Sequence, residues 1–274
     1  MTKIPRILAR VYGEPWAILP EVHRAICTAV DAKSRGEAVA SIMPADMEEQ
    51  AEPPVPPEAP PSCMVIPVHG ILGKHLDLME TLCGGCDLDN VCAMLEAAAD
   101  DDGVEFVMLD FRSPGGTVTG IAEAADEIAE LAKLKPVGAF TDSQCCSAAY
   151  WMASQCSTIF ATPSATLGSV GVIAVMFDES RALANQGITP NEFRSGRMKG
   201  MGASYRPMTE EEKTFMQARV DGMGHAFRAV ITAARGVAPE CLEGQVFDGR
   251  QAVKCGMADA LVADIDEAID LFMG

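Results

Sequence analysis

Two short segments are the first candidates for chemistry, because each follows a predicted strand and precedes a predicted helix. The segment RSPGG (112–116) comes directly after the apolar run 104–111, and Ser147 follows the next predicted strand in the same way. Glycines at such a turn leave the backbone amides accessible to a substrate oxygen. This arrangement suits an oxyanion hole or a phosphate site, and it is also found in a plain tight turn. In an open α/β sheet both turns lie at the carboxyl edge of the strands, where ligands bind. The position of Ser147 alone is more typical of an ordinary helix N-cap than of a nucleophile.

A serine nucleophile requires a base, and the sequence offers few candidates. Of the four histidines, His23 lies before a proline-rich stretch, His225 lies in a helical pattern, and the other two flank the first strand of the main body. A lysine serves instead when it is removed from water, because burial favours the neutral amine. Lys199 lies in the glycine-containing segment 194–202, although its position alone favours an ordinary solvated lysine.

Composition excludes several classes of function. The 274 residues carry a formal net charge of -18, which argues against nucleic acid as a partner, because phosphate binding needs clustered Lys and Arg. No uncharged apolar run is long enough for a membrane anchor, and the N-terminus lacks the apolar core of a signal peptide. We therefore expect a cytoplasmic protein whose ten cysteines are reduced thiols.

The cysteines also raise the question of a metal site, because Cys83 and Cys86 have C-x-x-C spacing. A structural zinc site normally needs a second pair of ligands, and only Cys92, His69 and His75 lie nearby in the sequence. We interpret the segment as a loop of small residues and predict neither a metal nor a cofactor.

The chain is predicted to have three parts. Residues 1–50 form an N-terminal segment with one amphipathic helix, which should dock on the body, on another subunit or on a partner. Residues 51–62, AEPPVPPEAPPS, form a stiff proline-rich linker. Residues 63–274 form the main domain.

Strands and helices alternate along the main domain, which predicts an α/β fold with mostly parallel pairing. Thr209 with Glu212 predicts a capping box at the start of the longest helix. The predicted strands are 64–72, 104–111, 136–140, 157–162, 170–177, 188–193 and 260–262, and the predicted helices are 87–99, 121–131, 148–154, 181–186, 209–235 and 249–255.

Five sequence blocks give a more specific indication through their order. They are SPGG (113–116), SAAY (147–150), LGSVGV (167–172), SGRMK (195–199), and the closing pair FDGRQA (247–252) with GMAD (256–259). In these blocks the main domain resembles the signal peptide peptidase A family of Ser-Lys serine peptidases. The resemblance implies a ClpP/crotonase-like fold, mostly parallel sheets with flanking helices, and a homo-oligomer whose active sites are completed near subunit contacts.

The resemblance also implies roles for particular residues. Ser147 would be the nucleophile that forms an acyl-enzyme on a polypeptide substrate, Lys199 its general base, and Ser169 the residue that orients the lysine. The implied oxyanion hole uses the backbone amides of Gly115, Gly116 and Ala148.

The nucleophile block departs from the family pattern. Two glycines normally follow the serine, and here they are Ala148 and Ala149. Ala148 still offers its backbone amide, but we expect the added methyl groups to narrow the site. Cys146 directly precedes Ser147, and the alignment of the blocks places the serine in the nucleophile position.

The lack of an anchor and the N-terminal segment with Pro15-Trp16-Ala17-Ile18 resemble the phage and prophage head-maturation proteases of this family. This branch implies capsid, portal or scaffold proteins as substrates, and the host cytoplasm or the procapsid as the setting. The alternatives are a cytoplasmic peptidase that degrades signal peptides or protein fragments, a crotonase-like acyl-CoA enzyme, and an inactive assembly protein.

Overall fold

The computed structural model describes residues 11–12, 14–34 and 62–274. Apart from Ser62, the predicted proline-rich linker 51–62 lies outside the described residues, as do most of residues 1–50. The division of the chain at this linker therefore stays a prediction. The helix predicted in the N-terminal segment is confirmed and spans Pro20–Ser34.

The strands are short, and most are three to five residues long. They are β1 (Trp16–Ile18), β2 (Cys63–His69), β3 (Ile71–Gly73), β4 (Gly85–Asp87), β5 (Phe106–Arg112), β6 (Gly115–Thr117), β7 (Val137–Thr141), β8 (Gln144–Cys146), β9 (Thr158–Ala161), β10 (Thr166–Gly168), β11 (Val246–Asp248) and β12 (Ala260–Leu261).

Every predicted helix is present in the described part of the chain, whereas the helices at Leu78–Leu82 and Ile265–Met273 were not predicted. The helices are α1 (Pro20–Ser34), α2 (Leu78–Leu82), α3 (Leu88–Asp100), α4 (Ile121–Leu134), α5 (Ala148–Ala153), α6 (Ser180–Asn185), α7 (Glu210–Arg235), α8 (Gly249–Lys254) and α9 (Ile265–Met273), with a 3₁₀ turn at Pro239–Cys241.

The main sheet has five parallel strands in the order β12-β9-β7-β5-β2. Two smaller sheets continue from its carboxyl edge, in the orders β1-β6-β3-β4 and β11-β10-β8. They are mixed, because β1 on β6 and β11 on β10 are antiparallel while the other pairs are parallel. The small sheets matter for function because β6, β8 and β10 carry the predicted catalytic turns.

Strand β5 shows how the sequence builds the core. Its side chains alternate between the faces of the sheet, so that Leu109 and Phe111 enter the large core under the helices while Met108 enters a second cluster on the other face. Ile269 of α9 closes that second cluster. A strand buried on both faces reads as a continuous apolar run, which is why β5 was predictable.

The helix ends were also predictable from local chemistry. The Asp87 carboxylate accepts the backbone N–H of Asp89 at the start of α3. At the start of α7 the Thr209 hydroxyl accepts the Glu212 N–H, and the Glu212 carboxylate accepts the Thr209 N–H, which confirms the capping box.

Two predicted strands are wrong. In 170–177 only Ile173 forms a β-bridge, to Trp16, and 188–193 contains no strand. Apart from Val170, both runs lie in the segment 171–208, which is mostly exposed and, beyond the Ile173 bridge, pairs with no strand in the described chain. Val170 is buried in the core, whereas most of the other apolar side chains in these runs are not. Phe193, for example, is 95% exposed.

No helix among the described residues is long and apolar enough to cross a bilayer. The longest, α7, carries charged residues along its whole length.

Helix α4 offers a matched test of the packing. Leu131 is buried in the core, whereas Leu134, one turn later, is 72% exposed. We expect Leu131→Ala to lower the free energy of unfolding by about 2–5 kcal/mol, because it removes buried methyl groups and leaves a cavity. Leu134→Ala should change it by no more than about 0.5 kcal/mol. Chemical denaturation of both variants measures this, and equal losses would contradict the assigned core.

Candidate active site

Ser147 has the most unusual backbone conformation in the region of the predicted site. It joins β8 to α5 with φ 54° and ψ -119°, a combination that non-glycine residues rarely adopt. Such a conformation costs about 1–3 kcal/mol and persists only where the surrounding structure enforces it. It resembles the sharp strand-to-helix turn on which some hydrolases present a nucleophilic serine.

Hydrogen bonds from neighbouring segments enforce this turn. The Ser147 N–H donates to the Gly168 carbonyl at 2.7 Å, which joins the turn to the end of β10. One residue earlier, the Cys146 N–H donates to the Ser113 carbonyl at 3.1 Å. The Ser113 N–H in turn donates to the Gln144 carbonyl at 2.7 Å. The SPGG turn and the Ser147 turn are therefore held side by side, as the sequence predicted.

Gly115 is required at this junction. Its φ is +103°, and a methyl group placed on it would lie 2.2 Å from the Ala17 carbonyl oxygen and 3.0 Å from Cβ of Ser147. Its N–H donates to the Ser113 hydroxyl, which itself donates to the Gly70 carbonyl at 2.6 Å. The Gly115 amide is thus engaged within the turn, whereas sequence reasoning assigned it to the oxyanion hole.

The helix after Ser147 is buried on all sides. Ala148 and Ala149 are fully buried members of the core, so the fold accommodates their methyl groups. As the first residue of α5, Ala148 has an N–H with no hydrogen-bond partner among the described residues. Tyr150 donates its hydroxyl to the Met257 carbonyl at 3.0 Å, and Trp151 stacks on Phe227 of α7. The helix is therefore firmly placed.

Ser169 lies close to the nucleophile turn. It directly follows Gly168, whose carbonyl accepts the Ser147 N–H, and it is buried with φ 53°. Its own N–H donates to the Gln245 carbonyl at 2.6 Å. The structure thus brings together Ser147, Ser169 and the glycine turn.

Lys199 has no hydrogen bond to this group among the described residues. It is exposed, in a turn closed by a hydrogen bond from its N–H to the Gly196 carbonyl. Within the described chain its amine forms no hydrogen bond with Ser147, whose hydroxyl contacts the Gly171 carbonyl at 3.5 Å. The described chain thus shows no bond between the two residues of the predicted dyad, and the dyad stays a prediction.

An arginine cluster fixes the segment that carries Lys199. Arg206 forms a bidentate pair with Glu212 at 2.6 and 2.8 Å and donates to the Gly200 carbonyl at 2.8 Å. It also pairs with Glu192. The hydrogen bond from Arg206 lowers the pKa of Glu212 to about 2, so the carboxylate stays ionised and holds the cluster. The turn beside Lys199 is thereby tied to the start of α7.

Two of the four histidines, His69 and His23, have contacts away from Ser147. Nε2 of His69 lies 2.8 Å from the Asp110 carboxylate, at the end of the main sheet. His23 is buried against the Trp16 ring, and this burial lowers its pKa. Neither forms a hydrogen bond with Ser147 in the described structure, so neither is a base for it in this conformation.

The two cysteines before Ser147 are poor nucleophiles. Cys145 and Cys146 are buried in β8, and burial raises the pKa of Cys146 to about 12 and that of Cys145 well above its usual value. Cys86, one of the C-x-x-C pair, is buried in β4 and also has its pKa raised to about 12 by burial. Metal ligation and nucleophilic attack both need a thiolate, which these sites disfavour.

The strained serine beside a glycine turn, on mostly parallel sheets flanked by helices, defines a hydrolase-type site at the carboxyl edge of an α/β fold. Comparison with known proteins gives the particular family: residues 129–273 match peptidase family S49, and the chain belongs to it. This membership confirms the ClpP/crotonase-like fold and the family predicted from the sequence blocks.

Two of the similar proteins come from phages. The chain is 31% identical over 205 residues to capsid assembly protease C of Escherichia phage lambda, which covers 74% of the chain and 47% of the relative. It is 32% identical over 201 residues to head-tail preconnector protein GP5 of Enterobacteria phage P21, or 72% of the chain and 40% of the relative. Protease 4 of Salmonella typhi is 26% identical over 202 residues, or 72% and 32%. The chain thus spans less than half the length of these relatives.

The buried cysteines generate a prediction. With iodoacetamide at neutral pH we expect the exposed Cys83 to be alkylated and Cys145, Cys146 and Cys156 to stay unmodified until the protein is unfolded, because all three thiols are buried. Peptide mass mapping with and without denaturant measures this. Rapid alkylation of Cys146 in the folded protein would show a reactive thiol beside Ser147 and contradict the assignment of the serine.

Proposed function

We propose that the protein is a serine endopeptidase in which Ser147 attacks the peptide carbonyl and Lys199 accepts its proton. The observation that carries the proposal is the strained Ser147 turn, packed directly against the SPGG turn. An ordinary helix cap needs no such backbone, and here the Ser147 side chain makes no capping hydrogen bond. Membership of a peptidase family supports the same reading.

The stabilisation of the oxyanion is proposed to come from two backbone amides. The Ala148 N–H has no partner among the described residues and points from the start of a helix, where the dipole favours negative charge. The second donor is the Gly116 N–H, which lies in β6 directly after Gly115. Donors of this kind contribute roughly 3 kcal/mol each to the transition state. Gly115 contributes mainly by allowing the close approach of Ser147.

The base is proposed to reach Ser147 from a second copy of the chain. Lys199 is exposed, and its segment 171–208 also exposes apolar side chains that a single chain leaves uncovered, among them Phe177, Ile188 and Phe193. Contact between copies would bury these side chains and remove the lysine from water, which favours the neutral amine that a base requires. The Ser169 hydroxyl, buried beside the nucleophile turn, would accept a hydrogen bond from that amine and so orient it.

The resulting reaction is acyl transfer. As the Ser147 oxygen bonds to the carbonyl carbon, its proton moves to the lysine, and the lysine then protonates the departing amine. Water attacks the acyl-enzyme with the same lysine as base, which releases the acid and regenerates the serine. Every step uses groups of the protein itself and no cofactor.

The biological substrates are proposed to be capsid, portal or scaffold proteins of a phage or prophage. The support is the similarity to proteins named as a capsid assembly protease and a head-tail preconnector. The reaction would then take place in the host cytoplasm or the procapsid.

The dyad generates a prediction in two stages. We expect Ser147→Ala and Lys199→Ala each to abolish cleavage of an unfolded protein substrate, because one removes the nucleophile and the other the base. Lys213→Ala, a change of an exposed lysine paired with Glu210 at the start of α7, is the matched control and should retain activity. The measurement is release of labelled peptides from a dye-labelled casein.

Mixing the two inactive variants tests where the lysine comes from. If the dyad forms between copies, dissociation and reassembly of the mixture restores activity, because some serines then face an intact lysine. A mixture that stays inactive would contradict the shared site, and full activity of Lys199→Ala alone would contradict the dyad itself.

A further inference from the structure

Strand β1 occupies an unusual place beside the nucleophile. It pairs antiparallel with β6, so that Trp16, Ala17 and Ile18 lie opposite Thr117, Gly116 and Gly115. The pairing continues at both ends, where the Leu19 N–H donates to the Pro114 carbonyl at 3.0 Å and the Val118 N–H donates to the Pro15 carbonyl at 3.3 Å. Residues 15–19 therefore run along β6 and the SPGG turn without interruption.

Hydrogen-bonded and non-bonded residue pairs alternate along an antiparallel ladder, and this alternation predicts the bond at the centre of β1, at Ala17. Positions 15 and 19 both bond to β6, so position 17 between them is also a hydrogen-bonded position, with its carbonyl facing the Gly116 N–H. That amide is one of the two donors proposed for the oxyanion. A carbonyl of the chain itself thus faces a donor that a substrate carbonyl would use.

The opposite edge of β1 is also bonded. The Trp16 N–H donates to the Ile173 carbonyl at 2.8 Å, and the Ile173 N–H donates to the Trp16 carbonyl at 2.8 Å. The next position along β1 on this edge is Ile18, where the antiparallel register leads to Gly171, the residue whose carbonyl contacts the Ser147 hydroxyl. Residues 14–19, here called the strap, lie between two backbone edges with Ser147 beside Ile18.

The strap covers the nucleophile. A methyl group on Gly115 would lie 3.0 Å from both Cα of Ile18 and Cβ of Ser147, so the strap backbone and the serine approach the same point. Ser147 is accordingly only 1% exposed. A peptide strand that added to β6 at this position would have to take the place of the strap, because each edge bonds one strand.

An apolar cluster of its own holds the strap. Trp16 and Ile18 are buried with Val11, Ile26 and Cys27, so the strap and α1 pack as one unit against the body. The strap is therefore retained by side-chain packing in addition to backbone bonds. Helix α1 begins directly after it, at Pro20.

We propose that the strap is an internal inhibitory strand that occupies the peptide-binding groove between β6 and Ile173 and must leave before a substrate reaches Ser147. The inference rests on the proposed function, since it assigns Ser147 as the nucleophile. It also names the ligand class of the groove: an extended peptide read through its backbone, with apolar side chains like those of Trp16-Ala17-Ile18-Leu19.

The test uses the full chain and a fluorophosphonate probe, with labelling of Ser147 measured by peptide mass mapping. Ala17→Pro removes the N–H that bonds to β6, whereas the matched control Ala17→Gly keeps it. The labelling rate is proportional to the fraction of molecules whose groove is open. We therefore expect Ala17→Pro to be labelled at least about tenfold faster than the parent. Ala17→Gly should stay within about threefold of the parent, as its backbone bonds are intact.

Two further measurements make the result specific. A synthetic peptide of residues 14–19 should slow the labelling of Ala17→Pro back towards the parental rate, because it refills the groove. Amide hydrogen exchange should show that Ile173 and Val118 lose protection in Ala17→Pro. If Ala17→Pro fails to fold, Trp16→Ala, which removes the ring that anchors the strap, replaces it in the same comparison.

The outcomes separate the two proposals. Equal labelling rates of Ser147 in the parent and in a variant that has lost protection at Ile173 would overturn the inhibitory strap and leave the nucleophile assignment intact. The absence of any labelling at Ser147 in that variant would instead overturn the proposed function, and the role of the strap with it.

Discussion

The conformation of Ser147 is the constraint on which the surrounding structure depends. A residue with φ 54° and ψ -119° needs support, and the Gly168 carbonyl supplies it by accepting the Ser147 N–H. The same turn needs a neighbour without a side chain, because a methyl group on Gly115 would press against Cβ of the serine. The small sheets at the carboxyl edge of the main sheet carry these residues. They hold the SPGG turn, the Ser147 turn and the end of β10 in contact.

The fold was largely predictable from the sequence because its central strands and helices have strong periodicity. Strand β5 is apolar on both faces, and α4 has a clear apolar side, so their burial follows from local pattern. The short strands β6, β8 and β10 were missed, because three-residue strands rich in glycine, threonine and cysteine carry no periodic signal. Their pairing is set by the turns around them, and local propensity contributes little.

The site shows the same division between local and non-local information. Ser147 and the glycine turn could be placed together, because turns at the ends of parallel strands meet at one edge, whereas Ser169 was assigned only through the family resemblance. The isolated position of Lys199 could not be predicted from the blocks, since sequence order does not say whether a lysine meets the serine of its own chain. Strand β1 gave no signal either: WAI is short, and its partner β6 is itself unpredictable from periodicity.

The central claim is that Ser147 forms a covalent acyl-enzyme, and trapping that species tests it most directly. The protein would be incubated with an activated ester of a short apolar peptide, quenched in acid and digested, and the acylated peptide identified by mass. The account predicts that the acyl group is found on the peptide that contains Ser147, on the serine oxygen, and is absent from Ser147→Ala. Turnover of the ester with the acyl group on Cys146, or with no acylated residue at all, would contradict it.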